Sequence, residues 1–132
     1  MVRVRLLLAL ALVTALAACG GPSAAVPSPS DSAVVKFQVG DQSFRVKLTT
    51  KTQVDAAKAA KAGGAARIPN GRIVAGTHVN AGWSWHLVDV EFAELTTEVC
   101  DGRPSDVEQN GVTFGGGRFC PWTAQIVSID AA

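Results

Sequence analysis

The chain has no apolar run long enough to span a bilayer, no excess of either charge and no metal-ligand spacing. Residues 6–16 form its longest apolar stretch, well short of the roughly 20 residues of a permanent transmembrane helix. Twelve basic and eleven acidic residues nearly cancel, so no net field draws nucleic acid, and no basic cluster forms a membrane-binding patch. Only three cysteines and two histidines are present, and neither Cys100 nor Cys120 has a Cys or His partner at zinc-ligand spacing. Gly115-Gly116-Gly117 lacks the Lys-Ser/Thr that completes a phosphate-binding loop. No repeat occurs, and no cofactor is implied.

What is present begins with an export signal. Arg3 and Arg5 give a positive start, the apolar run follows, and Leu16-Ala17-Ala18-Cys19 closes it. That order suits a cleaved signal. It resembles the bacterial lipobox, which implies cleavage before Cys19 and acylation of that cysteine; the other reading is an ordinary secretory signal with a free Cys19. The lipobox reading gives residues 1–18 to the signal. It places the protein in a bacterial cell envelope, outside the cytoplasm, lipid-anchored to the membrane. Residues 19–33 become the acylated cysteine and a tether of mostly Gly, Pro, Ser and Ala, too poor in apolar surface to offset the entropy of ordering. Residues 34–132 remain as a single domain of about 100 residues, with room for one modest core.

Without Arg3 and Arg5, ten basic residues face eleven acidic ones. Their distribution is uneven. From Arg45 to Arg72 there are seven basic residues and only Asp55; from Asp89 to Glu108 there are seven acidic residues and only Arg103. Two solvated faces account for this, and an acidic ligand face is the sharper alternative. With Cys19 taken by the lipobox, Cys100 and Cys120 are an even pair in an oxidising compartment and read as a disulfide. Such a staple is worth roughly 3 kcal/mol in the chain-entropy picture.

Hydrophobic spacing predicts a β-rich α+β fold: a small antiparallel sheet or sandwich with one short helix and one disulfide. Val35, Phe37 and Val39 alternate with polar residues, and so do Phe44, Val46 and Leu48. Separated by Gly40-Asp41-Gln42-Ser43, the two runs read as a hairpin with its basic side outward. Thr52 and Asp55 resemble a capping box opening an Ala-rich helix of about ten residues, which Gly63-Gly64 stops. Pro69-Asn70-Gly71 reads as a turn, with short strands at 72–75 and 83–88. Alternation changes phase within 89–100. A bulge near Ala93-Glu94 would turn Leu95, Thr97 and Val99 inward, and a short helical turn there is the alternative. Asp101-Gly102-Arg103-Pro104 reads as a tight turn, Gly115-Gly116-Gly117 as a flexible hinge, and 122–129 as a final, central strand.

Gly82-Trp83-Ser84-Trp85-His86 is the stretch richest in chemical groups. It lacks the second glycine of a nucleophile elbow, and no strand-turn-helix follows. Trp83 and Trp85 read either as core or as a stacking platform for a ligand. His86, near Asp89 and Glu91, has the chemistry of a pH-sensitive group or a metal ligand. With His78 it shows no regular metal spacing, and a hydrogen-bonded surface histidine is the plainer reading. Asp89, Glu91, Glu94, Glu98 and Asp101 offer oxygens for calcium, yet Asp101-Gly102 is only a fragment of a calcium loop.

Several segments together resemble a known family. They are Phe37-Gln38-Val39-Gly40-Asp41, Ile68-Pro69-Asn70-Gly71-Arg72, Trp83-Ser84-Trp85-His86-Leu87, Glu98-Val99-Cys100-Asp101-Gly102-Arg103-Pro104 and Phe119-Cys120-Pro121-Trp122. The set is similar to a family of small exported domains named after the N-terminal domain of a cAMP-inducible prespore protein, over nearly all of 35–130. The resemblance implies a compact domain carried by cell-surface or secreted proteins and confers no catalytic residues. Where the family's Trp-His-Leu often continues into Asp-Pro, this chain has Val88-Asp89.

The expectation that follows is a non-catalytic binding module without metal or cofactor, held to the membrane by its lipid. Its partner is an unknown protein or small molecule, and not nucleic acid. The expected surface combines Trp83, Trp85, His86, Asp101 and Arg103 beside the stapled turn, a preorganised contact element. An inhibitor of exported proteases presenting 100–105 or 68–71 is the second reading. A small hydrolase using His86 with Asp89 or Glu91 is the third.

Overall fold

The computed structural model describes Gly20 and residues 31–132; the signal, Cys19 and most of the expected tether lie outside the described residues. Strands β1 (Ala33–Val39) and β2 (Gln42–Leu48) form the expected hairpin. Strict alternation sends Ala33, Val35, Phe37 and Val39 inward, opposite Leu48, Val46, Phe44 and Gln42. Lys36, Arg45 and Lys47 take the other face. The turn is tight, with Gly40 at φ +60°.

Helix α1 (Lys51–Lys61) follows, but its capping box starts earlier than expected. Thr50, rather than Thr52, is the N-cap: its hydroxyl accepts from the Gln53 amide at 3.2 Å, and Gln53 Oε1 accepts from the Thr50 N–H at 3.2 Å. Gln53 reaches back to the cap where Asp55, two residues further on, cannot. Val54 and Ala57 are buried, so packing holds a helix too short to persist alone.

Pro69-Asn70-Gly71, expected as a turn, lies inside strand β3 (Ile68–Ala75), paired with β4 (Trp85–Ala93). Glycine is required there by close approach: a Cβ on Gly71 would sit 2.8 Å from Val90 Cγ2 and 3.0 Å from Leu87 Cβ. The register explains the phase change. Asn70 faces Glu91 and Arg72 faces Val88, so Asp89 and Val90 together oppose Gly71. The bulge is therefore at Asp89, at φ +51°, earlier than the expected Ala93-Glu94. Beyond Ala93 the chain leaves the sheet, and Leu95 and Val99, expected inside, are 86% and 70% exposed. A 3-10 turn at Glu98–Cys100 ends this stretch.

A second helix, α2 (Pro104–Asn110), replaces the expected tight turn. Pro104 occupies the first turn, where no N–H is needed, and the Asp106 carboxylate accepts from the Arg103 N–H at 2.7 Å. Strand β5 (Arg118–Phe119) completes a sheet ordered β4-β3-β5. Strand β6 (Gln125–Ala131) joins the other sheet, ordered β2-β1-β6. β6 is thus an edge strand and β1 the central one. Its consecutive apolar residues come from a bulge, since Ser128 faces Lys36 while Ile126 faces Phe37. Val127 is left half-exposed at 50%.

Both sheets are antiparallel and enclose one aromatic core. Phe37 stacks on Phe44 at 5.0 Å, Phe44 meets Phe119 at 5.3 Å, and Trp85 meets Phe119 edge-on at 5.5 Å. The Cys100–Cys120 disulfide forms, with Cα atoms 5.1 Å apart. Gly115 presses on Cys100, where a Cβ would come within 2.8 Å of Cα; the triple glycine serves this contact. No helix among the described residues is long and apolar enough to cross a membrane.

Candidate functional site

The loop between β3 and β4 carries most of the polar groups. Asn80, fully buried, anchors it: Oδ1 accepts from the Arg45 N–H at 2.8 Å, and Nδ2 donates to the Trp85 carbonyl at 2.9 Å. Trp83 Nε1 donates to the Ser43 carbonyl at 2.8 Å. Glu108, on α2, accepts from the Ser84 N–H at 3.0 Å and hydroxyl at 2.9 Å. Loop, hairpin and α2 are thereby tied together.

This anchoring places His78 over His86. Their rings stack with centroids 5.1 Å apart and planes at 28°. His86 Nδ1 lies 2.6 Å from the Gly76 carbonyl oxygen. A carbonyl only accepts, so Nδ1 carries the proton and Nε2 is left for other partners. The two rings line a cleft of about 300 Å³, bounded also by Lys47, Gln53, Val88 and Asp89. Gln53 joins the cap of α1 to the bulged strand, its Nε2 donating to the Val90 carbonyl at 3.0 Å. Asp89 is held by Arg72, whose Nη2 donates to Oδ2 at 3.1 Å.

Residues 31–132 match the prespore-protein N-terminal domain family, the one that the sequence motifs resemble. The chain belongs to this family. No curated protein and no solved structure matches it. The prespore-type match takes in both sheets, both helices, the disulfide and the cleft.

In this prespore-type domain the five residues expected to share a surface are dispersed. Trp85 is 2% exposed and belongs to the core; its indole N–H has no acceptor among the described residues. Trp83 is half-buried beside it, at 6.1 Å between ring centroids. His86 lines the cleft. Arg103 pairs with Asp41 at the hairpin turn, the end of β2 away from Lys47. Asp101 Oδ1 accepts from the Gly102 and Trp122 N–H groups at 2.9 and 2.8 Å.

The acidic run is likewise divided among separate tasks at Arg72, Trp122, Arg103 and Ser84. No three His, Cys, Asp or Glu residues among those described converge as a metal set. Residues 68–71 are built into β3, with Ile68 and Pro69 buried, so they present no free loop. Asn80, Glu108, Lys47 and Gln53 were not singled out by sequence reasoning. Their partners lie 24 or more residues away for Asn80 to Arg45, Glu108 to Ser84 and Gln53 to Val90, and such pairings leave no local pattern.

Proposed function

We propose that this prespore-type domain is an exported, lipid-anchored, non-catalytic recognition module that takes a small polar ligand in the His78–His86 cleft. One observation carries the reading. Among the described residues, the non-glycine positions with positive φ are His78 at +47° and Asp89 at +51°, and both line this cleft. Each such conformer costs about 1–3 kcal/mol, and they gather at ligand sites and switch regions. Here a loop and a β-bulge, separate pieces of chain, bring theirs to one hollow.

The chemistry of the lining fits a polar ligand. Lys47 offers a cation, His86 Nε2 an acceptor, and the volume is at the small end of ligand sites. Binding without turnover is supported by the hydrogen bonds: His86 is oriented by a carbonyl rather than a carboxylate, and Asp89 is engaged by Arg72. No base–orienter pair is assembled of the kind that activates a nucleophile.

The test is NMR titration of the purified full chain with a panel of amino acids, simple sugars and short carboxylates, following the histidine ring signals. At least one probe should shift both rings, and His86→Ala should lose that response at an unchanged melting temperature. Ring signals unmoved by every probe, or responses that persist in His86→Ala, would overturn the reading, as would any turnover lost with His86.

A further inference from the structure

We propose a second recognition site, independent of the cleft: an acidic, extended peptide adds as a strand to the free edge of β6, in the trench walled by α1. β6 pairs with β1 on one side only. Among the described residues, no hydrogen bond from another element reaches its other side. Such an edge presents a row of open N–H and C=O groups, a template for an added strand. Its central residues, Ile126-Val127-Ser128-Ile129, contain neither the proline nor the lysine that commonly blocks edge pairing.

α1 runs beside β6 in the opposite direction. Val54 and Lys58 border a hollow of about 260 Å³ with Ile129 and Ala131. Further along, Ala60 and Lys61 border one of about 240 Å³ with Gln125 and Ile126. A third continues past Arg67 to Trp122. A helix flanking an open sheet edge is the arrangement through which peptides bind by strand addition, with backbone bonds giving affinity and the flanking side chains giving selectivity.

Charge selects the occupant. Lys51, Arg72 and Arg103 are each paired with a carboxylate. Lys58, Lys61 and Arg67 have no side-chain hydrogen bond or ion pair among the described residues, and all three border this trench. No acidic residue lines these three hollows. Asp130 alternates to the other side of β6 and accepts from the Ser128 hydroxyl, and Glu94 borders only a separate hollow beyond Gly63. A strand carrying Asp or Glu at alternate positions would set carboxylates along these cations while its backbone completes the edge.

The probe is a fluorescein-labelled heptapeptide alternating Glu and Val, compared with its Lys-for-Glu counterpart and with a version interrupted by proline. Binding to the purified full chain is followed by anisotropy, and amide exchange reports where protection appears. The Glu peptide should bind with Kd below about 1 mM and protect β6 amides, while the other two bind at least tenfold more weakly. Charge reversal at all three cations (Lys58→Glu, Lys61→Glu, Arg67→Glu) should weaken it at least tenfold without moving the melting temperature. The proposal fails if the Glu peptide does not bind at about 1 mM, if the proline version binds equally well, if charge reversal has no effect, or if protection appears away from β6. None of these outcomes bears on the histidine cleft, whose signals report separately.

Discussion

Asn80 shows how much a single buried polar side chain can organise. It is the buried polar residue of the core layer, at 0% exposure, and it satisfies one donor on β2 and one acceptor on β4. Replacing it orphans both backbone groups, each at about 1–3 kcal/mol. Asn80→Ala should therefore cost about 2–4 kcal/mol in urea unfolding, and Asn80→Asp nearly as much, because a carboxylate cannot donate to the Trp85 carbonyl. A loss under about 0.5 kcal/mol, the scale of a neutral surface change, would contradict this role. The contrast is Lys51, whose pKa is raised by its hydrogen bond to Asp55 and then by that charge. Both partners are open to water, so the pair does little for the fold.

Among the elements, the β1–β2 hairpin was legible because its residues obey a strict period of two and its turn has the residues a turn needs. α1 was legible for its periodic Val54 and Ala57, although a second threonine disguised its true cap. β3 was not. Pro69-Asn70-Gly71 has turn chemistry, but proline fits a strand's beginning and Gly71 answers a contact with Val90 and Leu87 that only the folded pairing creates. α2 was hidden because Val107 is its buried large side chain after Pro104, too little for a periodic signal. The histidine cleft was half legible: His86 stood out, while its floor and walls come from β2, α1 and a bulge. The disulfide was read correctly from compartment and parity. It closes a separation of 20 residues, and beside it the Cys120 N–H donates to the Cys100 carbonyl at 2.8 Å. Cys100→Ser should lower stability by roughly 3 kcal/mol, ten degrees or more in melting temperature under non-reducing conditions. An unchanged melting temperature would exclude a stabilising staple.

For the whole molecule, the proposed anchoring rests on Cys19. Cells fed a fatty-acid analogue should label the wild-type protein and leave Cys19→Ala unlabelled, as read by in-gel fluorescence; a labelled variant would place the lipid elsewhere or remove it from the account. The ends of the described domain meet: the Ser32 hydroxyl donates to the Ala132 carbonyl at 2.8 Å, and the Ala132 N–H donates to the Ser32 carbonyl at 3.3 Å. A tether entering at residue 31 runs directly into β1, which is hydrogen-bonded to β2 on one side and β6 on the other. Those bonds lie across the strand axis. Tension between a membrane and a bound partner would thus pull the central strand along its own length, loading both ladders in shear and all rungs together. A domain hung this way resists being drawn out, where one hung from an edge would peel open rung by rung.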